Sequence, residues 1–370
     1  MAVPTSTWRP TRRRLLSTAA LVGVGSFAAG CSSASEESAQ AGPAAKPEDV
    51  QLVESVRSLS NSYHANWVAG GELFGQSVGK EVTVVTDEAD SQKQLSQIKS
   101  LGGSGKVFAL NVDPNTSADA EAIVRAVADS GGYVVTQWNK PDDLNPWDIG
   151  DHWVAHISFD GRVSGKEVSA ALFDAMGGSG GIIAIQGILD NTSAQQRFAG
   201  LEAALGEASG IELLDQQTAN WSRSEALSVT QTLLAKHRGK VKGLWAANDE
   251  MALGALEALK AAGLAGEVPI VGFDAVPQAL EEVQSGKNSF VATVSTDAYW
   301  QGGAALSLAF QAATGKVDVA GLSREQRAFF GRQSVVTQDN AAEFTAEPTL
   351  EMLQADFDDP WARSQGAITT

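Results

Sequence analysis

From about Val50 onward, short apolar runs alternate with longer amphipathic segments. Most runs are rich in β-branched residues and are bounded by glycine, aspartate or asparagine, which is typical of strands buried on both faces of a sheet. Nine such strands are predicted, at 50–56, 82–86, 107–112, 133–136, 181–186, 211–214, 241–246, 268–273 and 290–294. The segments between them carry helical patterns of ten or more residues, such as 118–129, 193–208, 222–237 and 250–262.

This alternation predicts an α/β fold with doubly wound parallel sheets that are covered by helices on both faces. Nine strands in roughly 290 residues fit two lobes better than one sheet. Ligands of open parallel sheets bind at the carboxyl ends of the strands. The residues that directly follow each run are therefore the candidates for a site.

Tryptophan, asparagine, aspartate and arginine recur at these strand ends. The candidate ligand-binding residues are Ser60, Asn66, Trp67, Trp138, Asn139, Arg197, Trp221, Asn248, Asp274 and Thr296. Carboxylates accept hydrogen bonds, guanidinium groups donate them and carboxamides do both, so together they can pair with the vicinal hydroxyls of a neutral polyol. An indole ring can cover the C–H face of a sugar. Each residue alone has a simpler explanation, a helix N-cap or a packed tryptophan, but their recurrence at one edge predicts a sugar or polyol site.

The chain has 370 residues, and its 44 acidic residues outnumber its 27 basic ones. A surface this acidic repels a phosphate backbone, which argues against nucleic-acid binding. Four histidines, at positions 64, 152, 156 and 237, are scattered without the spacing of a metal site. No nucleophile-elbow motif is present either, so the sequence predicts neither an enzyme nor a cofactor.

Residues 1–30 have the pattern of an export signal. Arg12, Arg13 and Arg14 precede two leucines, as in a twin-arginine motif, although basic segments also serve the general export route. The following apolar stretch is shorter than the roughly 20 residues that span a bilayer. It ends in Phe27-Ala28-Ala29-Gly30-Cys31, which resembles a lipobox except that Ala28 replaces the usual leucine.

Cys31 is the single cysteine of the chain, and the lipobox predicts that it carries a lipid. The alternative is a plain signal peptide that is cleaved elsewhere. Residues 31–48 are rich in small and polar residues and predict a flexible tether. We therefore expect an exported protein that a lipid anchors to the outer face of the cell membrane.

Several ordered blocks carry a resemblance to a known family. They are 156–160 with Gly165, 185–187 with 192–194 and Arg197, 244–256 (LWAANDEMALGAL), 268–274 (VPIVGFD) and 335–340. Over roughly residues 50 to 340, these blocks resemble the periplasmic ribose-binding-protein family of sugar-binding proteins. The resemblance implies the solute-binding component of an ABC importer, which captures a sugar by hinge closure and delivers it to a permease. It also implies a monomer without a cofactor.

The resemblance further implies two lobes that are joined by three crossovers, near 157–160, 294–296 and 332–336. Lobe 1 then comprises 49–157 and 297–330, lobe 2 comprises 158–296 and 331–345, and 346–370 form a C-terminal tail. By the same resemblance, sugar contacts in lobe 2 match Arg197, Trp221, Asn248 and Asp274. In lobe 1 they match Asn66 and Trp67, with Ser60 as a further candidate, and Thr296 stands where the family often has glutamine.

The sequence departs from the family after the fourth strand. The family commonly has Asp-Arg there, whereas this chain has Trp138-Asn139, followed by an acidic loop at 141–151. The added ring indicates a hexose, an inositol or another polyol in place of a simple pentose. The loop is either solvated or a calcium site. A sugar-sensing module for a chemoreceptor or membrane kinase is an alternative function, while the export signal argues against a transcriptional regulator with the same fold.

Overall fold

The computed structural model describes residues 44–287 and 289–368. The predicted signal peptide, Cys31 and the tether up to residue 43 lie outside the described residues. The folded body begins within the segment assigned to the tether, because the backbone N–H of Ala45 donates to the carbonyl of Ala313 at 2.9 Å. The Lys80 ammonium also donates to the carbonyl of Pro47 at 2.8 Å. Among the described residues, no helix has both the length and the apolar character needed to span a bilayer.

Lobe 1 is built on a seven-stranded sheet. In spatial order its strands are β2 (Val82–Thr86), β1 (Gln51–Val56), β3 (Phe108–Val112), β4 (Tyr133–Gln137), β5 (Trp153–Ser158), β11 (Ala328–Gly331) and β13 (Ser364–Ala367). Neighbouring strands are parallel except for β13, which is antiparallel to β11. The helices of this lobe are α1 (Ser62–Ser77), α2 (Ser91–Gly102), α3 (Asp119–Asp129), α4 (Pro146–Ile149), α10 (Ala298–Ala313), α11 (Arg324–Arg327) and α12 (Leu350–Asp358).

Lobe 2 is built on a six-stranded sheet. Its strands are β7 (Ile211–Thr218), β6 (Gly180–Gln186), β8 (Val241–Ala246), β9 (Ile270–Val271), β10 (Phe290–Ser295) and β12 (Ser334–Thr337). All neighbours are parallel except β12, which is antiparallel to β10. The helices of this lobe are α5 (Gly161–Ala175), α6 (Thr192–Glu207), α7 (Arg223–Lys236), α8 (Asp249–Ala262) and α9 (Pro277–Ser285).

The predicted fold class is confirmed: both sheets are largely parallel and doubly wound. In each lobe the first strand in sequence lies between the second and the third, so the direction of winding reverses beside it. Side chains that follow the strands flanking this reversal converge at the sheet edge. All nine predicted strands are present, although β9 is reduced to two residues.

The chain passes between the lobes at the three predicted places, after β5, after β10 and between β11 and β12. It then passes a fourth time, because β12 belongs to the sheet of lobe 2 and β13 to that of lobe 1. The predicted tail is therefore part of lobe 1. Phe357 of α12 is buried there, and its carbonyl accepts a hydrogen bond from the Ser307 hydroxyl at 2.6 Å.

Candidate functional site

A small cavity of about 40 Å³ lies where the carboxyl ends of the two sheets meet. Side chains from both lobes line it. They are Arg57, Asn61, Tyr63, His64, Asp113, Trp138, Asn139, Asn191, Ser193, Arg197, Trp221, Asn248 and Asp274.

Arg197 is the central cation of the lobe 2 wall and projects from α6. Its Nη1 donates to the carbonyl of Ala247 at 2.7 Å and lies 3.6 Å from an oxygen of Asp274. The guanidinium carbon Cζ also lies over three aromatic rings, 4.6 Å from the ring centre of Phe273, 4.9 Å from that of Trp138 and 5.9 Å from that of Trp221. These contacts fix a delocalised donor against the cavity.

Asp274 follows β9 and adopts a positive φ of 111°, which turns its side chain into the cavity wall. Burial raises the pKa of Asp274 to about 7, and the Arg197 charge opposes that shift only in part. A hydrogen bond with the Asn248 side chain opposes it further. The Oδ1 of Asn248 caps α8 by accepting from the backbone N–H of Met251 at 2.9 Å, so its amide nitrogen is the group that faces Asp274 and the site.

Asn191 joins the two walls. Its Oδ1 accepts a hydrogen bond from the Trp221 indole at 2.7 Å, and its Nδ2 donates to the carbonyl of Asn115 in lobe 1 at 2.8 Å. Asn191 is fully buried. One carboxamide therefore orients an aromatic ring of the site and holds the lobes together.

Trp138 forms the aromatic part of the lobe 1 wall and has a positive φ of 63°. Its indole donates to the Tyr63 hydroxyl at 2.6 Å, and that hydroxyl donates to the Gln301 side chain at 2.7 Å. The ring packs on Phe159 with centres 4.8 Å apart. The Trp138 ring is thus held at the cavity by lobe 1 and by the first crossover.

The lobes also touch outside the cavity. Ser62, the first residue of α1, donates through its hydroxyl to a Glu250 carboxylate oxygen of lobe 2 at 2.8 Å. The Ser117 hydroxyl donates to the carbonyl of Asp190 at 2.8 Å, and the Thr192 hydroxyl donates to the carbonyl of Lys140 at 3.1 Å. The two lobes are therefore in a closed arrangement.

The structure brings six of the ten predicted site residues to the cavity: Trp138, Asn139, Arg197, Trp221, Asn248 and Asp274. The other four lie elsewhere. Ser60 lines a groove at the cleft mouth, and Asn66 lines a depression on the hinge side. Trp67 is fully buried and donates to Glu54 at 2.7 Å, while Thr296 accepts from Gln301 at 2.9 Å.

The start of helix α1 explains why Asn66 and Trp67 lie outside the cavity. Helix α1 begins at Ser62 with Asn61 as its N-cap. Its first turn therefore presents Asn61, Tyr63 and His64 to the cavity, whereas Trp67 lies one turn further along and packs under the sheet edge. Asp113 was also missed, although it directly follows the buried strand β3 as the other candidates follow theirs.

The acidic loop at 141–151 uses several of its groups internally. The Lys140 ammonium donates to two of its carbonyls, Asp148 accepts from the backbone of Asn145 at 2.8 Å, and Asp151 pairs with Arg327 at 3.6 Å. In the described part of the chain, no group of three or more acidic, histidine or cysteine side chains is placed to hold a metal ion. These contacts favour the solvated loop over the calcium site.

Residues 54–317 match the family model described as periplasmic binding protein domain. The chain is 31% identical to the ribose import binding protein of Haemophilus influenzae over 233 residues, which are 63% of this chain and 75% of that protein. A crystal structure of a twin-arginine translocation pathway signal protein from Burkholderia phytofirmans superposes with a TM-score of 0.82 at 42% identity, covering 86% of this chain and 98% of that one. An ABC transporter solute binding protein from Bacillus halodurans with bound myo-inositol gives 0.67 at 26% identity, covering 81% and 98%.

Proposed function

The chain belongs to the periplasmic binding protein family, and from that premise we propose that it captures a neutral sugar or polyol between its lobes and delivers it to an ABC importer. The family consists of solute-binding proteins, which confirms the prediction of a binding protein and not an enzyme. The proposal adds the chemical class of the solute, a neutral sugar or polyol.

The observation that carries the proposal is the charge balance of a buried, aromatic cavity. Two guanidinium groups, of Arg57 and Arg197, lie 3.7 and 3.6 Å from the carboxylates of Asp113 and Asp274. When Asp274 is ionised, each guanidinium charge is balanced by the carboxylate beside it, so a neutral ligand adds no unpaired charge to the closed site. Charged donors and acceptors beside indole rings suit a molecule with hydroxyls on its edge and C–H groups on its face.

The enclosed space of the closed arrangement is small, about 40 Å³, which favours a compact ligand over an oligosaccharide. The relatives named for ribose and for bound myo-inositol both concern single-ring compounds. The Trp138 ring supports a hexose, an inositol or a similar polyol.

Closure supplies the mechanism. Polar groups of the site come from both lobes, so a ligand satisfies all of them only when the lobes are together. The ligand therefore binds the closed form more tightly, and this difference in affinity shifts the population toward it. The relative position of the lobes then reports occupancy to a permease.

The proposal also includes the location of the protein. The signal-like residues 1–30 and the lipobox at Cys31 support export and attachment to the outer face of the membrane by a lipid. The relative from Burkholderia phytofirmans is named for the twin-arginine pathway, which supports the same route for this chain. The folded body would then remain near its permease.

A thermal-shift screen of the mature protein tests the proposal. The panel contains neutral aldoses, alditols and inositols, including D-ribose, D-allose, xylitol and myo-inositol, together with sugar acids and amino acids as controls. A compound at a hundred times its dissociation constant should stabilise the protein by about 2.7 kcal/mol. Stabilisation by the charged controls alone would contradict the proposal.

A further inference from the structure

Lobe 1 lacks the Asp-Arg pair that the resembled family commonly places after the fourth strand, yet its cavity wall contains a carboxylate and a guanidinium group. They come from other strands. Arg57 directly follows β1 and Asp113 directly follows β3. These strands are neighbours, with Ser55 opposite Val112 in the ladder, so the two side chains emerge side by side at the sheet edge.

We propose that Asp113 is the residue through which lobe 1 selects its ligand, by accepting hydrogen bonds from hydroxyl groups, and that Asn139, His64 and Arg57 position it. The inference rests on the proposed function, since it names how one wall of the same site recognises a polyol. Asn139 then acts through Asp113 and not mainly as a direct ligand contact.

The Asp113 carboxylate is buried but not fully occupied. Its Oδ1 accepts from the Asn139 amide at 3.0 Å, and its Oδ2 accepts from His64 Nε2 at 3.3 Å. A carboxylate offers about four acceptor positions. The Arg57 guanidinium lies 3.7 Å from Oδ2, beyond hydrogen-bond distance. Two acceptor positions therefore remain for ligand hydroxyls in a wall where Asp113 is only 4% exposed.

The positioning groups are themselves fixed. The Asn139 amide also donates to the carbonyl of Pro114 at 3.0 Å, so its nitrogen must face Asp113. The His64 imidazole is buried, and burial lowers its pKa and keeps it neutral, so its single proton lies on the nitrogen that meets the carboxylate. Arg57 is held by the Asn115 side chain at 3.0 Å.

Asp113 does not cap α3, because that helix begins six residues later, at Asp119. A preorganised acceptor of this kind gains hydrogen bonds only when a hydroxyl-bearing ligand enters. It also rejects an analogue that lacks the hydroxyl, because the buried carboxylate then stays unpaired.

The experiment measures binding by calorimetry with the panel of neutral aldoses, alditols and inositols. Asp113→Asn, which keeps the shape of the side chain, should weaken binding of the tightest panel member at least tenfold, and Asp113→Ala should weaken it further. Asp129→Asn is the matched control, because Asp129 is an exposed aspartate at the end of α3. It should bind as the wild type does, and all variants should melt as cooperatively as the wild type.

Two further measurements distinguish recognition of the ligand by Asp113 from a purely structural role of its carboxylate. Asn139→Ala should weaken binding in the wild-type background but add little in the Asp113→Ala background, since it acts through the carboxylate. At least one deoxy analogue of the bound compound should lose tenfold or more against the wild type, yet bind Asp113→Ala as the parent compound does.

The failures are distinguishable. Unchanged affinity of Asp113→Asn, with Asp274→Ala weakened, would overturn the role of Asp113 and leave the proposed function intact. If Asn139→Ala weakened binding by the same factor in the wild-type and Asp113→Ala backgrounds, the role of Asp113 would also be overturned. If no neutral member of the panel binds the wild type, both the inference and the proposed function are wrong.

Discussion

Replacing Asn191 with alanine should weaken ligand binding strongly without unfolding the protein. Asn191 makes two buried hydrogen bonds, one from the Trp221 indole and one to the carbonyl of Asn115 across the cleft. The alanine substitution removes both hydrogen bonds at once and leaves the indole N–H and the carbonyl in place. The variant tests whether closure, and not only direct contact with the ligand, determines affinity.

The magnitude follows from the groups that lose their partners. In the closed form an indole N–H and a carbonyl are left buried and unpaired, at a cost of about 1–3 kcal/mol each. In an open form water can reach both groups, so the cost falls on the closed form alone. The closed form should therefore lose at least about 2 kcal/mol, which is roughly a 30-fold loss in affinity if the ligand binds only that form.

Calorimetry with the tightest compound of the polyol panel measures the affinity, and X-ray scattering with and without that compound measures closure. Gln195→Ala is the matched control, because Gln195 is an exposed residue in the first turn of α6 and its side-chain amide donates to the carbonyl of Leu189 at 2.8 Å. It should bind normally. Wild-type affinity and compaction in a well-folded Asn191→Ala protein would refute the reasoning.

Two other predictions concern stability and anchoring. Burial raises the pKa of Asp274 to about 7, so the unliganded fold favours the protonated carboxyl group. The protonated carboxyl adds to the free energy of unfolding below about pH 4, and this contribution is lost as the pH rises through 7. Relative to Asp274→Asn, the wild type should lose up to about 4 kcal/mol over this range; parallel urea-denaturation stabilities from pH 4.5 to 8 would count against the shift. Cys31→Ser should abolish labelling by a radioactive fatty acid in growing cells and release the protein or leave a precursor, whereas equal labelling of the variant would exclude the lipid anchor.

Much of the fold was predictable because most of its strands are buried on both faces. Runs such as 107–112 and 241–246 are short, apolar and largely buried, so local pattern alone indicates them. The nine predicted strands do not include β5, because His156 interrupts the apolar pattern of that strand. The structure buries that imidazole and satisfies it with the Thr136 hydroxyl at 2.9 Å, a contact between strands that no local pattern reveals.

The lobe 2 half of the candidate site was easier to find than the lobe 1 half. Trp221, Asn248 and Asp274 each stand two or three residues after a strand. In lobe 1 the register of one helix decides which residues face the cavity, and a start at Ser62 selects Asn61 and Tyr63 over Asn66. Asp113 was accessible to the same reasoning, because it directly follows the predicted strand at 107–112. Asn191 was not, since its role depends on a carbonyl of the other lobe.

The fourth passage of the chain joins the ligand wall to the hinge. Phe159 lies at the first crossover and packs between two tryptophan rings. Its ring centre is 4.8 Å from that of Trp138 in the cavity and 6.4 Å from that of Trp300 in α10, the helix that follows the second crossover. At the third crossover Gly331 must be glycine, because a β-carbon there would lie 2.7 Å from the Phe159 ring. The C-terminal segment reaches the same cluster: the guanidinium group of Arg363 lies 5.8 Å from the Trp300 ring centre and pairs with Asp297, the residue at which the second crossover enters α10. The Trp138 ring of the cavity is therefore connected by direct packing, through Phe159 and Trp300, to the places where the chain crosses between the lobes, and Arg363 of the segment predicted as a tail packs on the same cluster.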